Sequence, residues 1–214
     1  MTVNRGYQHD DINIIDYALT APAGSKADLR GPVPDLDKPY IVALGAAQTF
    51  GRFVERPYSA IIQEKTGMPV LNLGMSGAGP SFFLLRPELM SLINRSVLAI
   101  VQVMSGRSTS NSRMTVEVNQ GVVRPVNAPK TERAEFAETA YIRLLGSESP
   151  QALSAFRAEI RARALAEMCA LLAWHHRAAN RSMVFETDAQ LCREPQEHLR
   201  ILGGLPAFPQ SGRS

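Results

Sequence analysis

The sequence predicts an α/β domain built on a mainly parallel sheet with helices on both faces. Three observations carry this reading. The continuous apolar runs "YIVAL" (40–44), "MPVLNL" (68–73) and "SVLAIVQVM" (96–104) have strand length and the unbroken hydrophobicity of strands covered on both sides. Each run leads into a loop of small or polar residues. Helical patterns alternate with the runs, as crossover connections between parallel strands require.

Residues 1–38, with "TAPAGSKADLRGPVPDLDKP", read as an extended arm leading to the first strand. A single α/β domain is expected over 39–188, opening with the strand at 40–44 and the glycine turn at Gly45. "ERPYSAIIQEKTG" then places Pro57 in the first turn of a helix, Ile61 and Ile62 inside and Gly67 as its stop. After the second strand, "GMSGAGP" (74–80) is a glycine-rich turn, and "SFFLLRPELMSLIN" (81–94) is helical, divided at Pro87. The third strand ends in the polar loop "SGRSTSNSR" (105–113), and "TVEVNQGVVRPV" (115–126) reads as a hairpin turning at Asn119–Gly121. Helices are expected over 131–145 and 149–176, the second capped by Ser149, with Leu153, Phe156, Ile160, Met168, Leu171 and Leu172 as its apolar stripe. "SMVFE" (182–186) is a candidate fourth strand, and 189–214 form an irregular tail.

Composition narrows the function classes. The net charge of +3, from 23 Lys+Arg against 20 Asp+Glu, is small and spread along the chain, without the clustered basic face and interleaved aromatics of a nucleic-acid binder. The longest apolar run, 97–104, is too short to span a bilayer, and the N-terminus has acids where a signal peptide would be apolar. A cytoplasmic protein with reduced Cys169 and Cys192 and no membrane segment is expected. No cofactor is implied: the His, Cys, Asp and Glu residues lack metal-ligand spacing, and "GAAQTFGR" lacks the Gly-Lys-Ser/Thr ending of a phosphate loop. Nothing in the sequence sets the oligomeric state.

The loops "GAAQTFG", "LNLGMSGAG" and "VQVMSGRS" resemble the blocks of the SGNH, or GDSL-like, hydrolase superfamily. That resemblance implies a three-layer, flavodoxin-like fold and a site for cleaving or transferring ester-linked groups. It also marks what is missing. The family block Gly-Asp-Ser-x-Thr-x-Gly stands here as Gly45-Ala46-Ala47-Gln48-Thr49-Phe50-Gly51, with alanines for the aspartate and the nucleophilic serine. Gly77 matches the glycine whose N–H serves the oxyanion hole, Gly106 matches the third-block glycine, and Arg107 replaces its asparagine. No Asp-x-x-His pair follows. The same loops look like a family of alphaproteobacterial proteins without an assigned activity, in which Gly-Ala-Ala stands for Gly-Asp-Ser.

A methyl group at position 47 neither attacks a carbonyl nor donates to an oxyanion, and losing a triad nucleophile costs about 10⁶-fold in turnover in the serine-protease case. The ordinary serine mechanism is therefore not expected. Ser76, Ser105 and His198 are weak catalytic candidates, with Glu194 as a conceivable partner of the histidine. His175 and His176 end the long helix, with Trp174 as its anchor. Gly45, Ala46, Ala47, Gln48, Gly77, Gly106 and Arg107 are the expected ligand-binding set, because Arg107 beside glycine-rich backbone donors suits an anion. Arg52, Arg56 and Arg113 read as partners of surface acids, Thr49 as a helix cap, and Asn72 and Gln102 as structural cross-links. The first functional reading is a hydrolase-like domain holding a small polar or anionic ligand, possible carbohydrate types included. The alternatives are a hydrolase or an acyl or sulfuryl transferase with a relocated nucleophile, and an interaction domain whose cleft is vestigial.

Overall fold

The computed structural model describes residues 7–22, 25, 27–116, 121–129, 131, 134–179 and 183–186, with side chains described between residues 8 and 173. In chain order the elements are α1 (Tyr7–Asp10), β1 (Ile41–Leu44), α2 (Ala47–Phe50), α3 (Tyr58–Thr66), β2 (Val70–Asn72), α4 (Pro80–Leu84), α5 (Pro87–Arg95), β3 (Leu98–Gln102), β4 (Met114–Val116), β5 (Val122–Pro125), β6 (Glu135–Phe136), α6 (Ala137–Ser147), α7 (Pro150–Ala179) and β7 (Met183–Glu186). The described residues form a mixed α/β structure with one parallel and one antiparallel sheet.

The parallel sheet has the order β2-β1-β3-β7, with Ile41 opposite Val70 on one side and Leu98 on the other. Alternation along β1 separates two cores, because successive side chains point to opposite faces. Val42 and Leu44 join Leu71, Ala99 and Val101 beneath Phe82 and Phe83 of α4, Leu89 and Leu92 of α5, and Leu171 of α7. Ile41 and Ala43 join Val70, Ile100 and, from α3, Tyr58 and Ile62. The helix pair expected around Pro87 forms as α4 and α5, with that proline opening α5. Gly67 ends α3 with φ +67, the left-handed stop that its position predicted.

The antiparallel sheet, order β4-β5-β6, contains the expected hairpin and one strand that the sequence did not reveal. Glu135 and Phe136 pair with Val123 and Val122, so the helix predicted from 131 begins only at Ala137. Two residues are too short a strand to leave a periodic trace. The apolar stripe of α7 also packs less completely than expected: Phe156 and Leu171 are buried, whereas Leu153, Ile160, Met168 and Leu172 are half-buried. Ile61, expected inside, is 38 % exposed. Among the described residues no helix is long and apolar enough to cross a membrane.

The N-terminal stretch is folded where an extended arm was expected. It contains α1, a 3-10 turn over Asp11–Asn13 and a β-bridge between Thr20 and Leu29, with Tyr17 and Leu29 buried. Arg30, 5 % exposed, donates from Nη1 to the carbonyls of Phe50 and Gly51 (3.3 and 2.6 Å) and from Nη2 to those of Val54 and Glu55 (2.7 and 2.9 Å). Its guanidinium lies over the rings of Tyr17 and Phe50, and burial lowers its pKa. A second tie is ionic: Arg52 donates from Nε and Nη2 to the Asp11 carboxylate at 2.6 and 3.0 Å.

That bidentate pair sets a pH dependence. The hydrogen bonds from Arg52 hold the Asp11 carboxyl below its ordinary value of 3.8, so the charged form is favoured in the folded chain. A lowered pKa contributes stability above the unfolded value, which is lost as pH falls through the folded one. Urea midpoints measured from about pH 5 down to about pH 2 should fall more steeply for the native chain than for Asp11→Asn.

Candidate functional site

The candidate site forms where the loops after β1 and β3 meet. Its centre is the Gln102 side chain at the end of β3. Oε1 of Gln102 accepts from the Ala46 N–H and from the Thr49 hydroxyl, each at 2.9 Å, and Nε2 donates to Gln48 Oε1 at 2.9 Å. One amide thus ties three residues of the first loop to the neighbouring strand. The Tyr58 hydroxyl donates to Thr49 Oγ1 at 3.1 Å, so Thr49 serves this side-chain network, not the helix cap expected of it. Gly45 makes room for the node: a Cβ built there would lie 2.5 Å from Gln102 Oε1 and would overlap Thr49 Oγ1.

The second loop is tied to the first from beneath. Asn72 donates to the Thr49 carbonyl (2.7 Å) and to Ser59 Oγ (3.0 Å), while its Oδ1 accepts from the Gly74 N–H (2.9 Å). The Met75 N–H donates to the Gly45 carbonyl at 3.0 Å, and Gln8 of α1 donates to Met75 Sδ at 3.1 Å. Gly79 lies so close to Ser108 that an added Cβ would fall 3.0 Å from the serine Cβ. Glycines therefore let backbones approach where the sequence left their purpose open.

The expected ligand-binding residues occupy different settings. Ala46 and Ala47 are half-exposed and Gln48 is exposed, with its amide nitrogen left over after Oε1 meets Gln102. Gly77, φ +64, is half-exposed and approached by Gly121, which immediately precedes β5. Gly106 faces α7: an added Cβ would stand 2.9 Å from Ile160 Cγ2, a position that serves helix packing. Arg107 is exposed and forms no ion pair among the described residues. Of the catalytic candidates, Ser76 is half-exposed, and Ser105 accepts from the Arg107 N–H at 3.4 Å as the cap of a 3-10 turn. His198 and Glu194 lie outside the described residues, as do the side chains of Trp174, His175 and His176.

Arg52, Arg56 and Arg113 pair with Asp11, Glu64 and Glu148, the arrangement their positions suggested. Glu167 of α7 was not picked out from the sequence. It accepts from the Thr109 hydroxyl (3.2 Å) and from the side chain and N–H of Ser81, joining the first turn of α4 to the loop after β3, and burial raises its pKa. Only the path of α7 brings it there, so a charged residue on a helix face gave no sequence signal.

A recess of about 560 Å³ lies elsewhere, between the β4–β5 hairpin and α6, lined by Arg113, Met114, Val126, Arg143 and Leu144 among others. Its two arginines are already paired, with Glu148 and Glu135, and no strand of the parallel sheet ends in it. The loop junction around Gln102 is the better candidate, because open parallel sheets bind ligands beyond their carboxyl edges.

No curated protein matches the chain, and no solved structure matches it. A family model, described as "Domain of unknown function (DUF6473)", matches residues 5–198. With nearly the whole chain covered, from α1 through β7 and beyond, the protein belongs to that family.

Proposed function

We propose that the protein is an SGNH-hydrolase-like domain without the usual serine and Asp/His residues, and that it binds a small polar or anionic ligand, such as a modified sugar, at the carboxyl ends of its strands. The observation that carries this is the Gln102 node. Strand order β2-β1-β3-β7 reverses direction between β1 and β3, which is where a wound sheet opens a crevice, and Gln102 bridges those two strands. Helices drawn from both core clusters and the order β2-β1-β3-β7 support a three-layer, flavodoxin-like reading of the sheet.

The site holds polar groups in place without supplying a nucleophile at its centre. Ala46 and Ala47 present methyl groups, Gln48 offers an amide, and Arg107 supplies a positive charge at the next loop. Such a set recognises an acceptor-rich or anionic ligand through hydrogen bonds and charge. Ala46 and Ala47 leave no oxygen or sulfur nucleophile where the resemblance places one, so binding is favoured over covalent catalysis by the ordinary serine mechanism.

Thermal unfolding in the presence of sulfate, phosphate, acetate and glucuronate tests this reading. A ligand at about 100 times its Kd should raise the midpoint by about 5 °C or more. The shift should disappear in Arg107→Ala. An unchanged midpoint across the anions and sugar acids, or an equal shift in the variant, would count against an anion site here.

A further inference from the structure

We propose that the loop after α2, together with the 3-10 turn at Asp11–Asn13, is a docking surface for a basic amphipathic segment of a partner protein. None of its residues bonds the Gln102 side chain, whose partners are Ala46, Gln48 and Thr49. Phe53 carries φ +58, a left-handed conformation that is an outlier for a bulky residue, yet its side chain is 54 % exposed. Strain of this kind persists only where the surroundings impose it. Here they do: Arg30 holds the carbonyls of Gly51, Val54 and Glu55, the Tyr17 hydroxyl accepts from the Phe53 N–H at 3.1 Å, and Arg52 is fixed by Asp11. A buried arginine, an ion pair and a strained backbone together display an aromatic ring to solvent.

The same contacts join the loop to a segment with a second pair of exposed apolar residues. The Asp11–Arg52 pair joins the loop to the turn that carries Ile12 and Ile14, which are 55 % and 69 % exposed, while Val54 is 45 % exposed. The Arg52 guanidinium lies 4.5 Å from the centre of the Phe53 ring, which keeps the ring beside the ion pair. Exposed apolar residues gathered on tied segments mark an interaction surface better than scattered ones do.

Charge identifies the occupant. Asp10, Asp16 and Glu55 are exposed around these residues and form no ion pair among the described residues. Among the described residues, the neighbouring Arg52 and Arg56 are paired with Asp11 and Glu64. An acidic rim repels an anionic membrane and sets like charges against each other in a second copy of the chain. It attracts a segment with one apolar face and lysines or arginines beside it, the form in which amphipathic helices dock into apolar surfaces.

The test uses the full chain and a short fluorescent peptide of leucine and lysine in amphipathic helical order, with a leucine–glutamate peptide as control. Fluorescence anisotropy should show binding of the lysine peptide alone. Phe53→Gly should weaken it by about tenfold or more, as should Asp10→Asn with Glu55→Gln, whereas Leu165→Ser, at an exposed apolar site on α7, should not. Glycine accepts the left-handed conformation, so Phe53→Gly should melt no lower than the native chain. Equal binding of the two peptides, unchanged affinity in Phe53→Gly, or a sharp fall in its melting temperature overturns the proposal. Self-association that Phe53→Gly abolishes, measured by sedimentation, would also overturn it in favour of a second copy.

Discussion

Replacing Arg30 by alanine is expected to lower the stability of the fold by about 3 kcal/mol, read from urea denaturation with an unchanged slope. Four backbone carbonyls, those of Phe50, Gly51, Val54 and Glu55, lose charge-assisted donors at once. A buried acceptor without a partner costs about 1–3 kcal/mol, and the two carbonyls nearer solvent regain part of that from water. The estimate therefore lies below the sum of four full penalties. Lysine should restore only part of the loss, since an ammonium is a point charge that cannot span both carbonyl pairs with a planar fork. A loss below about 1 kcal/mol in Arg30→Ala would mean that water satisfies the loop and that the arginine is not what holds it.

Gly74→Ala should be equally damaging for a steric reason. A Cβ at this position would lie 2.6 Å from the Thr49 carbonyl carbon and 2.7 Å from Phe50 Cα, and closer still to the Phe50 nitrogen. These are backbone atoms of α2, so no side chain can rotate away, and the second loop must separate from the first. Overpacking of this kind costs about 3 kcal/mol. Gly67→Ala is the control: its φ is +67, but an added Cβ meets nothing within 4 Å, so it should cost only about 1–2 kcal/mol of left-handed strain. If the two variants lose equal stability, close approach of the loops is not the constraint at Gly74.

The difference between those glycines shows how far the sequence could be read. Gly67 declared itself by ending a helical pattern, and its backbone role followed from local rules. Gly74 and Gly45 sat in glycine-rich loops with no sign of what approached them; Phe50, Thr49 and Gln102 come from other turns of the chain. Asn72 and Gln102 were legible as cross-links because an amide within an apolar strand has to find partners. Which partners they found was not. Gly106 carried a resemblance to a ligand-binding position, yet its nearest neighbours belong to α7.

Local composition determined the strands β1, β2, β3 and β7, the helix breaks at Gly67 and Pro87, and the absence of a serine after β1, because each depends on a few consecutive residues. Tertiary structure alone decided that the N-terminal stretch clamps the loop after α2, that Glu135–Phe136 form a strand and that Glu167 joins α4 to the loop after β3. These last features depend on contacts between residues distant in the chain. A single side chain, or a two-residue segment, leaves no period in the sequence from which such a contact can be read.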